Sequence, residues 1–208
     1  MIGSHPGGIL LTERLLLLGA LKPHARVLDL GAGSGESVRY LRKLGYEALG
    51  VDLTGADMRE SQAAGISEVI RGNMTALAFP AHSFDCCLAE CSVAVCGDGK
   101  RALSEAFRVL KPGGSLLLSD VFFHREDAPV MSMGEPLTRE CWEKESARAG
   151  FCMEMFRDET ALWREFFLES LWNDNADPSW CDFFRKAGRA KCGYFLAHLK
   201  KGEAYGFI

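Results

Sequence analysis

Apolar and polar positions along this chain alternate between two spacings. Short apolar runs at 27–30, 46–51, 68–71, 83–89, 115–119, 151–156 and 194–199 read as strands, the weakest being 68–71. Between them lie helical patterns. Over 7–21, Ile9, Leu11, Leu15, Leu16 and Leu18 share one side of a helix entered from His5-Pro6-Gly7-Gly8, which is expected to lie against the domain. Val38, Leu41 and Leu44 give the next helix, closed by Gly45. A short helix follows at 54–64, and Leu103, Ala106, Phe107 and Leu110 mark another, ended by a Lys111-Pro112-Gly113-Gly114 turn. Further helices are expected at 138–149, at 159–172 with Leu162, Trp163, Phe166, Phe167 and Leu171 on the buried side, and near 179–190. Residues 121–136 hold two prolines, a glycine and little periodicity, so they read as a loop over one end of the sheet. Alternation of strand and helix predicts an α/β fold, a mostly parallel sheet covered by helices on both faces.

The first strand stops in Gly31-Ala32-Gly33-Ser34-Gly35, and a helical pattern begins at Glu36. Glycine tolerates positive φ and lets another molecule approach bare backbone, so this spacing suggests a loop that cradles a ligand. The unpaired N–H groups of the following helix would face that ligand. The same spacing also occurs in dinucleotide-binding proteins and in plain surface turns. Its neighbours narrow the choice. Asp29 lies two residues before the first glycine, and the second strand ends in Asp52, 21 residues after Gly31, where an acid can accept hydrogen bonds from both hydroxyls of a ribose.

At 208 residues, 48% hydrophobic and 25% charged, the chain has the length for one domain with a good core. A net charge of −4 and the absence of a basic run interleaved with aromatics argue against a nucleic-acid partner. No apolar run reaches the roughly 18 residues that cross a bilayer, and no basic region with a cleavage site opens the chain. The expectation is therefore a cytoplasmic protein with no membrane partner. Several of the eight cysteines fall in strand-like or helical patterns and there is no Cys-x-x-Cys pair, which favours reduced thiols over disulfides, a zinc ribbon or a redox site. No metal is expected. His5 is placed either to reach a substrate or to sit in a solvated terminus.

Taken together, Val27-Leu28-Asp29-Leu30-Gly31-Ala32-Gly33-Ser34-Gly35, Gly50-Val51-Asp52, Gly72-Asn73-Met74, Phe84-Asp85 and Arg108-Val109-Leu110-Lys111-Pro112-Gly113-Gly114, continued through Asp120, form a linked set. It resembles the successive motifs of class I S-adenosyl-L-methionine-dependent methyltransferases, with the small-molecule type 11 branch the nearest subgroup. The resemblance covers about residues 25–120. It implies a Rossmann-like three-layer sandwich with a seven-stranded sheet, whose last strand, 194–199, runs antiparallel between two others. It also implies one methyltransferase domain, with an N-terminal helical cap over 1–24, a cofactor-binding core over 25–120, and a loop, helices and final strands over 121–208.

By matching position, the resemblance gives Asp29, Gly31, Ala32, Gly33 and Gly35 to the amino-acid half of S-adenosylmethionine. It gives Asp52, with Leu53 beside it, to the ribose, and Asn73 and the Met74 backbone to the adenine. Asn73 departs from the family's usual Asp, although its amide oxygen can still accept from an amino group. Plainer roles stay open: Asp29 as a prop for the turn, Asp52 as a strand-end cap and Met74 as core.

Methyl transfer from a sulfonium is a direct displacement in which positioning alone contributes about 7–11 kcal/mol, so a general base is optional. Glu90, at the tip of the fourth strand, is the candidate base; contact with the cofactor's amino group and simple capping are the alternatives. Cys91, the second catalytic candidate, and Cys96 flank the same strand tip. A fainter likeness to arsenite methyltransferases makes a metalloid or thiol acceptor an alternative to an ordinary small molecule, although a pair of N-terminal cysteines is missing and both thiols can serve simply as packing. The covering pieces, 5–12, 121–136 and 159–172, are expected to roof the acceptor and set its specificity. A cofactor-binding accessory protein without turnover is a further reading. A nicotinamide-dependent oxidoreductase fits the glycine loop and the acid but not the Gly72-Asn73-Met74 and Lys111–Gly114 segments.

Overall fold

The computed structural model describes residues 5–53, 68–172 and 191–202; the helices expected at 54–64 and 179–190 lie outside them. All seven apolar runs join one sheet. In chain order the strands are β1 (Arg26–Leu30), β2 (Glu47–Asp52), β3 (Val69–Arg71), β4 (Phe84–Glu90), β5 (Leu110–Phe123), β6 (Phe151–Asp158) and β7 (Cys192–Lys201), and they lie in the order β3-β2-β1-β4-β5-β7-β6. β1 to β5 pair parallel, while β7 runs antiparallel between β5 and β6, as the resemblance implied. β4 and β7 are buried along nearly their whole length, because helices and connections cover both faces of the sheet. That is why their sequences read as continuous apolar runs.

The fifth strand is longer at both ends than its apolar run. Phe84 pairs with Leu110 but Cys86 with Ser115, so Lys111–Gly114 is an irregularity absorbed within the ladder and not a turn outside it. At the other end Val121, Phe122 and Phe123 pair with Tyr194, Gly193 and Cys192. These residues are buried, and Phe122 meets Phe156 and Phe195 edge-on at 5.4 and 6.1 Å. The loop expected from residue 121 therefore begins at His124.

The helices are α1 (Gly8–Gly19), α2 (Glu36–Lys43), α3 (Gly99–Val109), α4 (Arg139–Arg148) and α5 (Thr160–Trp172). α1 buries Leu11, Thr12, Leu15 and Leu16 and packs on β5, β7 and α2, so the N-terminal segment belongs to the core and is more than a cover. In α5, Trp163 is buried and stacks parallel on Tyr194 at 6.1 Å, while Leu162 and Phe166 are half-buried. The side chains of Phe167 and Leu171 lie outside those described. Among the described residues no helix is long and apolar enough to cross a membrane.

α4 starts at Thr138, whose hydroxyl accepts from the Cys141 N–H at 3.2 Å, and it buries Trp142, whose Nε1 donates to the Val121 carbonyl at 3.1 Å. Thr138→Ala removes an N-cap and is expected to lower stability by about 1 kcal/mol. The loss should appear as a lower urea midpoint with an unchanged m value.

Candidate functional site

The strand order reverses beside β1, which has β2 on one side and β4 on the other. Open α/β sheets bind ligands outside the carboxyl ends of their strands at such a point. There the chain leaves β1 through Gly31, Gly33 and Gly35, with φ of 81°, 51° and 78°, a region glycine enters without a Cβ penalty. The loop is tied back to β2. Gly31 and Ala32 N–H both donate to the Val51 carbonyl (2.8 and 3.1 Å), and Gly33 N–H donates to Asp52 Oδ2 (2.9 Å). A cleft of about 260 Å³ opens at the strand ends. It is lined by Asp52 and Leu53 at the end of β2, by Asn73 and Met74 after β3, by Gly31 after β1, and by Cys91, Ser92, Val95 and Cys96 after β4. Seven of the residues singled out from the sequence, Gly31, Asp52, Leu53, Asn73, Met74, Cys91 and Cys96, thus meet at one cleft; Asp29, Ala32, Gly33, Gly35 and Glu90 do not line it. Asn73 differs in one respect from its expected use, since its amide oxygen already accepts from the N–H and hydroxyl of Thr75, both at 2.9 Å.

Behind the cleft lies a group of buried carboxyls. Asp29 is 3% exposed and Glu90 8%. Burial, then the charges of Glu90 and Asp52, push the Asp29 carboxyl well above the usual carboxylate range. Glu90 joins three distant parts of the chain: Thr12 Oγ1 donates to its carboxylate at 3.1 Å, Ser37 Oγ at 2.9 Å, and His5 Nε2 lies 3.7 Å from Oε2. Burial raises the Glu90 pKa to about 7 against the lowering effect of the two hydroxyls. His5 is only 6% exposed, so the solvated terminus is overturned, and burial lowers its pKa. Thr12 and Ser37 had no sequence signal, because nothing local to a serine or threonine reports a partner so far along the chain. Asp120 had one, an acid inside an apolar strand. Buried within β5, it accepts from the Ala94 N–H at 2.9 Å and so fixes the turn that follows β4.

The chain matches the family model described as a methyltransferase domain over residues 28–118. It is 30% identical over 201 residues to the malonyl-[acyl-carrier protein] O-methyltransferase of Salmonella typhimurium, covering 92% of this chain and 72% of that one. The chain belongs to the class I S-adenosylmethionine-dependent methyltransferases. This methyltransferase is also 32% identical over 142 residues to the arsenite methyltransferase of Aquipseudomonas alcaligenes, covering 61% of its own length and 41% of the relative's. It spans about two fifths of the length of several curated relatives. Its fold matches Haemonchus contortus phosphoethanolamine N-methyltransferase 2, solved with S-adenosylmethionine, at a TM-score of 0.77 and 20% identity, covering 96% of this chain and 54% of the other.

The cofactor of the family is S-adenosylmethionine, and the residues present fit it. Open space surrounds the position where a Cβ would stand on Gly33, so a ligand can reach the loop backbone. Leu53 and Val95 both line the cleft and are 60% and 68% exposed, apolar surface that a bound ligand would cover.

The cysteines at the methyltransferase's strand tip are held as thiols. Cys91 adopts φ 52°, uncommon for a residue with a Cβ, and its N–H donates to the Ser119 carbonyl at 2.8 Å. Its Sγ lies 3.1 Å from the Tyr194 hydroxyl, which donates to Ser119 Oγ at 3.0 Å. Burial pushes the Cys91 thiol well above its ordinary range, and burial also raises Cys96, whose Sγ donates to the Val93 carbonyl at 3.2 Å. A protonated thiol is a poor nucleophile and a poor soft ligand. Among the described residues, no group of three or more His, Cys, Asp or Glu side chains could hold a metal ion.

Proposed function

We propose that this chain transfers the methyl group of S-adenosylmethionine to a small-molecule acceptor by direct in-line displacement. The observation that carries the reading is the joint arrangement of the glycine loop, Asp52 and the cleft at the switch point. The cofactor supplies an activated methyl carbon, and the residues of the chain bind, orient and exclude water. Asp52 accepts from the ribose hydroxyls, with Leu53 against the sugar. The Asn73 amide N–H₂ and the Met74 backbone meet the adenine; with the Asn73 oxygen held by Thr75, a ring nitrogen suits that side chain better than an amino group. The loop from Gly31 to Gly35, with Ala32, receives the amino-acid half, and Asp29 and Glu90 offset its positive charge.

Glu90 serves the cofactor side in this reading and not the acceptor, because it is buried behind the hydroxyls of Thr12 and Ser37. Cys91 shapes the strand tip through Tyr194 and neither attacks nor ligates. A metalloid or thiol acceptor is accordingly the weaker choice. The chain acts as one domain, with the N-terminal cap, the 124–138 loop and α5 roofing the acceptor; a cytoplasmic location rests on the sequence argument alone.

The test is formation of S-adenosylhomocysteine from S-adenosylmethionine with panels of hydroxyl, carboxylate, amine, thiol and trivalent arsenic acceptors. Turnover with an oxygen or nitrogen acceptor is expected, and Cys91→Ser should leave the preference unchanged. Cofactor binding without product from any acceptor would favour an accessory protein. Arsenite-dependent transfer abolished by Cys91→Ser would favour the metalloid reading.

A further inference from the structure

Ser92, the residue after Cys91, was not among the sequence candidates. It is 7% exposed, its Oγ has no hydrogen-bond partner among the described residues, and it lines the cleft. A buried hydroxyl without a partner is costly, because it has left water and received nothing in exchange. Ser132 and Ser146 carry the same kind of orphan hydroxyl, but neither borders the cleft. The position of Ser92 is also tightly set. A Cβ added to Gly31 would stand 2.5 Å from Ser92 Cβ, 3.2 Å from its Oγ and 3.2 Å from Met74 Cε. The serine thus lies against Gly31, with the end of Met74 near the same point, and the first glycine of the loop leaves it room.

We infer that the Ser92 hydroxyl is a cofactor-positioning group whose missing hydrogen-bond partner is a polar atom of the nucleoside half of S-adenosylmethionine. The inference rests on the cofactor reading above and adds to it a residue and a half of the ligand. The nucleoside half is specified by the company Ser92 keeps. It shares the cleft with Asp52, Leu53, Asn73 and Met74; of the residues given to the amino-acid half, Gly31 borders the same cleft, whereas Asp29, Ala32, Gly33, Gly35 and Glu90 do not line it. A hydroxyl both donates and accepts, so it suits the mixed donors and acceptors of a ribose and a purine edge.

The unliganded protein and the complex then respond in opposite directions to one substitution. Ser92→Ala removes a polar group that is unsatisfied in the unliganded state, so the melting temperature without ligand should stay level or rise. The same change should weaken binding of both S-adenosylmethionine and adenosine by about threefold to tenfold, the usual worth of one neutral hydrogen bond. Ser146→Ala is the control; it should behave similarly without ligand and leave both affinities unchanged. Thermal unfolding of the unliganded variants and titration calorimetry with the two ligands supply the readouts. If wild type binds both ligands and Ser92→Ala binds them as tightly, the inference is wrong while the cofactor reading stands. It is equally wrong if Ser92→Ala lowers the melting temperature of the unliganded protein, since the hydroxyl then has a protein partner. An amino-acid-side contact would weaken S-adenosylmethionine and spare adenosine, and that too overturns it. Wild type binding neither ligand would defeat the cofactor reading and the inference with it.

Discussion

Asp52→Ala is expected to weaken S-adenosylmethionine binding by about 1.5–3 kcal/mol, roughly ten- to more than a hundredfold, the worth of hydrogen bonds to a charged group. Two effects act together. The ribose loses its acceptor, and Gly33 loses the carboxylate oxygen that ties the glycine loop to the end of β2 at 2.9 Å. Asp52→Asn separates them, because an amide oxygen can still accept from the Gly33 N–H while the charge is gone; its loss should fall between wild type and Asp52→Ala. The fold should survive both changes, since Asp52 is only half-buried at a strand tip. Calorimetric affinities measured beside unfolding curves separate binding from stability. An affinity unchanged in Asp52→Ala would mean that the ribose is held elsewhere.

The second large effect is a stability that falls as pH rises from about 4.5 through about 7, opposite to the usual behaviour of carboxyls paired with cations. Burial raises Glu90 and Asp120 to about 7, from ordinary values of 4.5 and 3.8. A carboxyl raised on folding binds more protons in the native state than in the unfolded one. Its stabilising contribution is therefore complete below the unfolded pKa and is lost as pH climbs through the folded one. Shifts of this size correspond to roughly 3–4 kcal/mol for each group. Asp29, also raised, acts with the same sign. His5 and His198, lowered by burial, act with the opposite sign below about 6.5. The lowered carboxyls Asp85, Glu105 and Glu135 act only below the window, in acid.

Urea unfolding of the unliganded chain at pH 5, 6.5 and 8 should show the decline, and Glu90→Gln should flatten it. Stability rising across that range, or an unchanged slope in Glu90→Gln, would show that Glu90 ionises freely in the folded protein. S-adenosylmethionine should couple to the same groups. Its positive charge favours ionised Asp29 and Glu90, so affinity should rise from pH 6 to pH 8, with protons released on binding.

The central strands were legible because they are buried on both faces or nearly so, which turns a sheet into a series of apolar runs, whereas the edge strands β3 and β6 are largely exposed and gave weaker patterns. Strand ends were less legible. Lys111-Pro112-Gly113-Gly114 carries every sign of a chain break, yet the ladder absorbs it as an irregularity next to Phe84. The charged stretch after Phe123 masked three further strand residues, because strand pairing continues until the burial of Phe122 and Phe123 ends.

At the site, the glycine loop and Asp52 could be read directly, since left-handed backbone and a strand-tip acid leave local marks. The set around Glu90 could not. Thr12 lies 78 residues from it and Ser37 lies 53, and only the folded chain brings them together. His5 has no sequence feature to separate a buried imidazole from a solvated one, and its burial follows from the packing of α1. The orphan state of Ser92 is likewise a property of three dimensions, the absence of a partner in a crowded place.

The central claim is that the cleft at the β1 switch point binds S-adenosylmethionine. Titration calorimetry of the wild-type chain with S-adenosylmethionine, S-adenosylhomocysteine and NADH tests it most directly. The expected result is one-to-one micromolar binding of the first two and no heat from NADH. Binding of NADH, with no heat from either adenosyl ligand, would contradict it.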